Sequence, residues 1–478
     1  MKLAAMREAV RSIEPRLIRG TVRAVRGLVL SVEQLPLPVG SLVRIEIPNR
    51  AEAPRAEVVG FEGTRALVML LSEVDGVSTG NSVVVEQTAA TVGVNEWWLG
   101  RVVDALGRPI DGKGDIPPGT PQPLWPARTS PLSRGVIREP LPTGVRALDA
   151  MLTVGRGQRV GIFAGPGVGK STLLGSIARG SAAHVNVIAL IGERGREVPE
   201  FLEHVLGEEG LRRSVVVVAT GDESPLMRVR AATVACSAAE YFRAQGLDVM
   251  LMLDSVTRFA QAQRQIGLSA GEVPATKGFT PSVFSMLPRL LERAGCLAAG
   301  GSITGFYTVL VEGDDMTEPV ADATKGILDG HVVLSRRLAE RSHFPAIDVL
   351  ASISRVADQV SDPNHIRARR HVGRLLSAYR EAEELIQIGA YARGSSPDVD
   401  AAIALKSELD AFLRQGQDER AEFPATLRAL VELSLSAESA GRRAPQQGQP
   451  GGAPARAAQP SPMKTAGGGP ASAQGARR

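Results

Sequence analysis

The chain is 478 residues long, 44 % hydrophobic and 22 % charged, the composition of a soluble globular protein with more than one core. No apolar run approaches the roughly 18–20 residues that cross a bilayer, and the two cysteines, Cys236 and Cys296, lack CxxC spacing, which argues against a disulfide scaffold or a zinc site and fits a reducing cytoplasm. The pI near 9.2 suggests nucleic acid only at first sight: residues 441–478 hold six Lys and Arg and no Asp or Glu, so the chain's +4 becomes −2 without that +6, and the body lacks the basic surface a nucleic-acid partner needs.

The start, Met1-Lys2-Leu3-Ala4-Ala5-Met6-Arg7-Glu8, interleaves charge with apolar residues, unlike a secretory signal. Leu3, Met6, Val10 and Ile13 share one face of a short amphipathic helix over residues 1–15. That helix either packs on the body or docks a partner or membrane surface. Over residues 16–92 short β-branched runs such as Gly20-Thr21-Val22-Arg23-Ala24-Val25 and Ser41-Leu42-Val43-Arg44-Ile45-Glu46-Ile47 alternate with turn residues, predicting a small antiparallel β-barrel. Phe61 is its only aromatic residue, whereas a barrel that binds single strands offers several for bases to stack on. Residues 93–365 alternate continuous apolar runs (159–164, 185–191, 215–219, 249–253 and 307–311) with helical stretches, the pattern of an α/β domain whose parallel sheet is covered on both faces. Residues 366–440 read as a helical domain with stops at Gly389, Pro397 and Gly416. Residues 441–478, with eight Gly, six Pro and no aliphatic side chain beyond Ala and Met463, are expected to be a disordered basic tail, since they bury too little surface to offset ordering entropy.

The strongest chemical signal is Arg159-Val160-Gly161-Ile162-Phe163-Ala164-Gly165-Pro166-Gly167-Val168-Gly169-Lys170-Ser171-Thr172. An apolar strand runs into a glycine-rich turn and then a helix. Backbone N–H groups of such a turn and the helix N-terminus aim partial positive charge at phosphates, and the glycines let the backbone wrap closely round them. Gly165, Pro166, Gly167, Val168, Gly169, Lys170, Ser171 and Thr172 form the candidate phosphate-binding loop of a nucleoside triphosphatase. Lys170 would reach the β- and γ-phosphates of ATP, and the Ser171 hydroxyl would hold Mg²⁺. The usual motif starts with Gly six positions before the Lys; Ala164 stands there instead. Asp254 closes the apolar run Val249-Met250-Leu251-Met252-Leu253 and is the candidate organiser of Mg²⁺ and its waters. Glu193 follows the 185–191 run, where a carboxylate can polarise the attacking water while Arg194 meets charge on the phosphoryl group. Taken alone, Glu193 and Arg194 also suit a solvated salt bridge. The acidic group Glu312, Asp314, Asp315 and Glu318 lacks calcium-loop spacing and reads as a solvated loop. Arg367, Arg369, Arg370 and His371 read as a helix face, and none of the six histidines shows metal-ligand spacing.

These residues carry a resemblance. The chain is similar to catalytic subunits of rotary ATP synthases, and more closely to the flagellar protein-export ATPase and its virulence type III secretion counterparts, over about residues 16–440. The resemblance rests on Gly192-Glu193-Arg194-Gly195-Arg196-Glu197-Val198, Asp254-Ser255-Val256-Thr257-Arg258-Phe259-Ala260-Gln261-Ala262-Gln263-Arg264, Gly271-Glu272-Val273-Pro274-Ala275-Thr276-Lys277-Gly278-Phe279, Phe306-Tyr307-Thr308-Val309-Leu310-Val311-Glu312-Gly313-Asp314-Asp315 and Ile327-Leu328-Asp329-Gly330-His331. It implies a RecA-like core between the barrel and the helical domain, Glu193 as the catalytic carboxylate and Asp254 as the Mg²⁺ organiser. Phe344 takes the place of an aromatic that stacks on adenine, its alternative being a core Phe. Arg355, in Ser352-Ile353-Ser354-Arg355, matches an arginine that relatives insert into a neighbour's site, its alternative being a surface salt bridge. One chain holds both Glu193 and Arg355, so identical copies would complete each other in a homo-oligomeric ring, a homohexamer by resemblance, with the 271–279 segment lining its pore. Stalk and regulator proteins, chaperone-bound export substrates and peripheral attachment at the cytoplasmic face of the inner membrane are the implied partners and place; nucleic acid is not. The alternatives are a virulence-type secretion ATPase, a catalytic subunit of a rotary proton-coupled ATPase (whose acidic run is replaced here by Ser377-Ala378-Tyr379-Arg380-Glu381-Ala382-Glu383-Glu384-Leu385) and an RNA-dependent ring motor. The 352–355 and 387–391 stretches look flagellar.

Overall fold

The computed structural model describes residues 18–443 apart from 51, 73, 74, 312 and 314. The expected 1–15 helix, Glu312 and Asp314 of the acidic group, and the chain beyond Arg443 therefore lie outside the described residues.

Strands Arg19–Arg26, Val29–Glu33, Leu42–Glu46, Arg55–Glu62, Arg65–Leu70 and Ser82–Gln87 close into an antiparallel barrel, in the order first, second, fifth, fourth, third, sixth. Alternation builds its core: Leu30 and Val32, Val43 and Ile45, Ala56 and Val58, and Ala66 and Val68 point inward and are fully buried, while Phe61 faces solvent. Register shifts at Val22/Ala24 and Val58/Gly60 add local twist, which lets so few strands close. A buried ion pair ties this barrel to the domain behind it, Arg230 Nη1 to Glu57 Oε2 at 2.8 Å.

The second domain is a nine-stranded sheet in the order Ile347–Ser354, Gly330–Leu334, Arg159–Ala164, Ser302–Leu310, Asp248–Asp254, Val185–Ile191, Ser214–Ala219, Arg101–Asp104, with the short Gly295–Cys296 strand beside Ser302–Leu310. Its six interior and one edge strands are parallel; Ile347–Ser354 and Gly295–Cys296 run antiparallel. Every residue of Val185–Ile191 and Ser214–Ala219 is buried, as helices on both faces require. The 307–311 run turns out to be the end of Ser302–Leu310; Ser302, Thr304 and Gly305 conceal its first half from a search for apolar runs. The 165–172 loop, Asp254 and the segment after Ile191 all lie at the C-terminal ends of parallel strands, the edge where such sheets bind ligands.

Helices Pro363–Gln387, Pro397–Ala404, Lys406–Leu413 and Phe423–Arg443 make the C-terminal bundle. Pro397 opens a helix where the sequence suggested a stop. It occupies the first helical position behind Ser396, whose hydroxyl accepts the Val399 N–H, a place where a missing N–H costs nothing. The basic run lies on the Pro363–Gln387 helix, with Arg367 and Arg370 exposed. Arg369 is buried and reaches Asp358, Ser361 and Thr153, and His371 Nδ1 meets Ser434 Oγ at 2.8 Å.

Candidate active site

The Arg159–Ala164 strand delivers the chain to Gly165, and the Lys170–Gly180 helix takes it away. Gly167 and Gly169 sit at φ 79° and 91°, left-handed conformations that only glycine adopts without strain. They turn the backbone around a cavity of about 430 Å³ lined by Gly165, Lys170, Ser171, Glu193, Asp254 and Arg258 among others.

Three charged groups converge there although 84 residues separate the outer two. Lys170 Nζ donates to Asp254 Oδ1 at 2.5 Å and to Glu193 Oε1 at 3.2 Å. Asp254 is 2 % exposed, and its Oδ1 also accepts from Thr308 Oγ1 at 2.7 Å. Burial works against the Lys170 ammonium, but the carboxylates of Asp254 and Glu193 outweigh it and hold its pKa above the ordinary lysine value. Glu193 moves upward because burial disfavours its charge; Asp254 and a hydrogen bond with Glu197 push the same way, and Lys170 opposes them. A carboxylate whose pKa is raised can accept a proton more readily than a free glutamate. Glu193 is half-buried and its ion pair is with Lys170.

Arg194 lies on the cavity wall but turns outward. Its side chain is 73 % exposed and pairs with Glu197 at 2.8 Å. Phe344 is 46 % exposed and lines a second cavity of about 430 Å³, so it is not a core residue. This cavity shares Gly169 and Thr172 with the first and is walled by apolar Val145, Leu173, Leu334 and Pro345, the composition of a pocket for a flat base beside a triphosphate. Arg355 is not brought to either cavity. It follows Ser354, which pairs with Gly330, whereas the phosphate loop leaves from Ala164, which pairs with Leu334. Four residues of strand, about 13 Å, separate those rows.

Sequence reasoning missed two parts of the site. One is the far wall of the second cavity, Gln415, Gly416 and Gln417, which comes from the bundle. Gln415 is clamped there: its N–H donates to Phe344 O at 2.9 Å, its Nε2 to Gly144 O at 2.8 Å, and its Oε1 accepts the Arg146 N–H at 2.7 Å. No local motif announces it. The other is Arg258, whose stem crosses Gly192 so closely that a Cβ on that glycine would lie 2.9 Å from it. Its signal was the Gly immediately before Glu193.

Comparison with known proteins agrees with this geometry. The sequence profile of the ATP synthase alpha/beta family, nucleotide-binding domain, matches residues 144–354; its beta-barrel domain matches 22–85, and the T3SS EscN ATPase C-terminal domain matches 361–432. A protein of Treponema pallidum named flagellum-specific ATP synthase is 52 % identical over 426 residues, 89 % of this chain and 95 % of that one. A type 3 secretion system ATPase of Sinorhizobium fredii is 47 % identical, with 90 % and 96 % covered. The solved structure of the assembled ATPase EscN in complex with its central stalk EscO, from the enteropathogenic E. coli type III secretion system, superposes with a TM-score of 0.81 at 41 % identity, covering 87 % of this chain and all of that one.

Proposed function

The chain belongs to the ATP synthase alpha/beta family, with flagellum-specific and type 3 secretion ATPases among its relatives, and from that premise we propose how its site hydrolyses ATP and what the hydrolysis drives. The carrying observation is the convergence of Lys170, Glu193 and Asp254 on a glycine-wrapped cavity that opens beside Phe344. ATP lies with its base on Phe344 and its phosphates along Gly165–Gly169, where backbone N–H groups and the start of the Lys170–Gly180 helix meet their charge. Lys170 exchanges its carboxylate partners for the β- and γ-phosphates. Glu193 takes a proton from water as that water's oxygen bonds to the γ-phosphorus and the bond from phosphorus to the ADP oxygen breaks. ADP leaves with that electron pair, and no covalent intermediate forms. Arg194 swings from Glu197 to the phosphoryl oxygens as charge spreads over them.

The Ser171 hydroxyl and the Asp254 carboxylate are hard oxygens on one cavity wall. No group of three His, Cys, Asp or Glu that would cage a metal occurs among the described residues. That donor set suits Mg²⁺, which keeps several waters and rests on one or two protein oxygens plus substrate phosphates. When bound, the ion neutralises charge on the β- and γ-oxygens.

Arg355 serves a neighbour's site. It is exposed, it directly follows the antiparallel edge strand, and no carboxylate pairs with it among the described residues. Copies arranged head to tail close into a ring, in which Arg355 of one stabilises the phosphoryl group bound by the next. The ring takes a central stalk, as the EscN title states for that protein, with Gly271–Phe279 lining its pore. It powers or gates export of flagellar subunits, received with chaperones and regulators at the cytoplasmic face of the inner membrane. The test pairs chemistry with export. Purified protein should release phosphate from Mg·ATP without stimulation by RNA. Lys170→Ala should lose nucleotide binding and turnover together, whereas Glu193→Gln should bind ATP and not turn over, and neither should restore filament export to a deletion strain. Hydrolysis by Glu193→Gln at near the wild-type rate defeats the assignment of the base.

A further inference from the structure

Two arginines at the phosphate end of the site are short of negative charge. Arg258 sits in the first turn of Val256–Ser269 and Arg228 in that of Pro225–Ala244, and neither first turn contains an acidic residue. Helix N-termini already carry partial positive charge, so cations there are disfavoured. Each guanidinium is held by a neutral carboxamide instead of a carboxylate: Arg258 Nη1 donates to Gln261 Oε1 at 3.2 Å, and Arg228 Nη2 to Gln265 Oε1 at 2.8 Å. The Nε of each is buried without an acceptor. Glu223 acts on Arg228 through space but makes no ion pair with it, and its Oε1 accepts the Thr220 N–H at 3.2 Å. Burial first, and then the Arg258 charge, push the Arg228 guanidinium below its ordinary pKa. Half-buried like charges side by side, each with an orphaned donor, call for an anion. Arg258 lines the phosphate cavity, and Arg228 stands behind it, outside the lining.

We propose that Arg228 is a positioning residue for the hydrolysed phosphate: its charge presses the Arg258 guanidinium into the cavity, and the pair makes a stage for the γ-phosphoryl group as it parts from ADP and for orthophosphate afterwards. The inference rests on reading this cavity as the ATP site. It explains why neither arginine has an ion-pair partner among the described residues: the anion that neutralises them is made by each turnover and then released. An internal carboxylate would occupy that place and repel the product.

The experiment uses the full chain and inorganic phosphate as the probe. Arg228→Gln should raise the inhibition constant of phosphate in the ATPase assay about tenfold, the scale of one charged interaction. The KM for ATP and the affinity for ADP should stay within about twofold, and trapping of ADP by aluminium fluoride should weaken in parallel with phosphate. Arg228→Lys, which keeps the charge, should recover most of the effect. Should Arg228→Gln not fold, Gln265→Leu removes the exposed tether and is expected to move phosphate inhibition in the same direction by less. Unchanged phosphate inhibition in either folded variant overturns the proposal. So does a parallel loss of ATP, ADP and phosphate affinity that lysine does not rescue, because that marks a structural role only. Absence of Mg·ATP hydrolysis by the unaltered chain is a different result, and it removes the reading of the site itself.

Discussion

At Glu193 the surroundings set the chemistry. Burial and the neighbouring carboxylates raise its pKa, so its carboxyl keeps a proton to higher pH than a free glutamate. In the proposed mechanism Glu193 acts deprotonated, so turnover should fall on the acid side at a pH above the ordinary glutamate range. Glu197 contributes to that rise through a hydrogen bond. Glu197→Gln puts an amide donor there, which favours the charged form, so the acid limb of the kcat profile should move to lower pH; a limb that stays put removes Glu197 from this role. At this scale the sequence was most legible where residues are contiguous. The strand–loop–helix geometry of Gly165 to Thr172 can be read directly because it depends on backbone within eight positions. Asp254 and Glu193 were readable as strand-end carboxylates, but their shared contact with Lys170 depends on sheet order. Arg194 was placed on the phosphoryl group, whereas without nucleotide its nearest opposite charge is Glu197.

Elements are joined by side chains that no motif reveals. Arg293, just beyond the Pro281–Leu291 helix, is buried and pairs with Glu240 of Pro225–Ala244 at 2.6 Å, while also donating to Leu124 O and Ser237 Oγ. Glu240→Ala leaves that guanidinium buried without its counter-charge, and a loss of about 3–5 kcal/mol is expected in denaturant unfolding. Replacing both partners with apolar residues of similar volume should cost much less, which separates the stranded charge from lost packing. The barrel was legible because inward and outward residues alternate with period two. The parallel sheet was legible because its buried strands are continuously apolar, except where Ser302 to Gly305 interrupt the signal. Pro397 misled because a proline marks a helix start as well as a helix end, and only the capping Ser396 distinguishes the two.

For the whole molecule, the proposed division of labour between Glu193 and Arg355 makes activity a property of assemblies. Specific activity should rise steeply with protein concentration. Arg355→Ala should bind ATP normally and lose about 10³-fold or more in turnover. Arg355→Ala and Glu193→Gln chains, each inactive, lack different halves of the site, so mixed rings should recover part of the activity wherever an intact Glu193 faces an intact Arg355. A mixture that forms rings and stays inactive refutes action across the interface. Arg355 could be assigned before the fold was known only through resemblance, because nothing local distinguishes it from other surface arginines. The structure adds its distance from its own phosphate loop.

The clamp on Gln415 separates two kinds of selectivity that usually travel together. In the proposed site, phosphate is gripped at the C-terminal edge of the sheet, while the wall facing the base arrives with the helical bundle, 269 positions away from the backbone amide that receives it. Discrimination among ATP, GTP and CTP can therefore drift through changes at 415–417 without altering the rate of bond breaking. A bare tripolyphosphate would satisfy the loop yet leave the bundle untouched. Such a fuel should be cleaved without moving anything: the engine would idle.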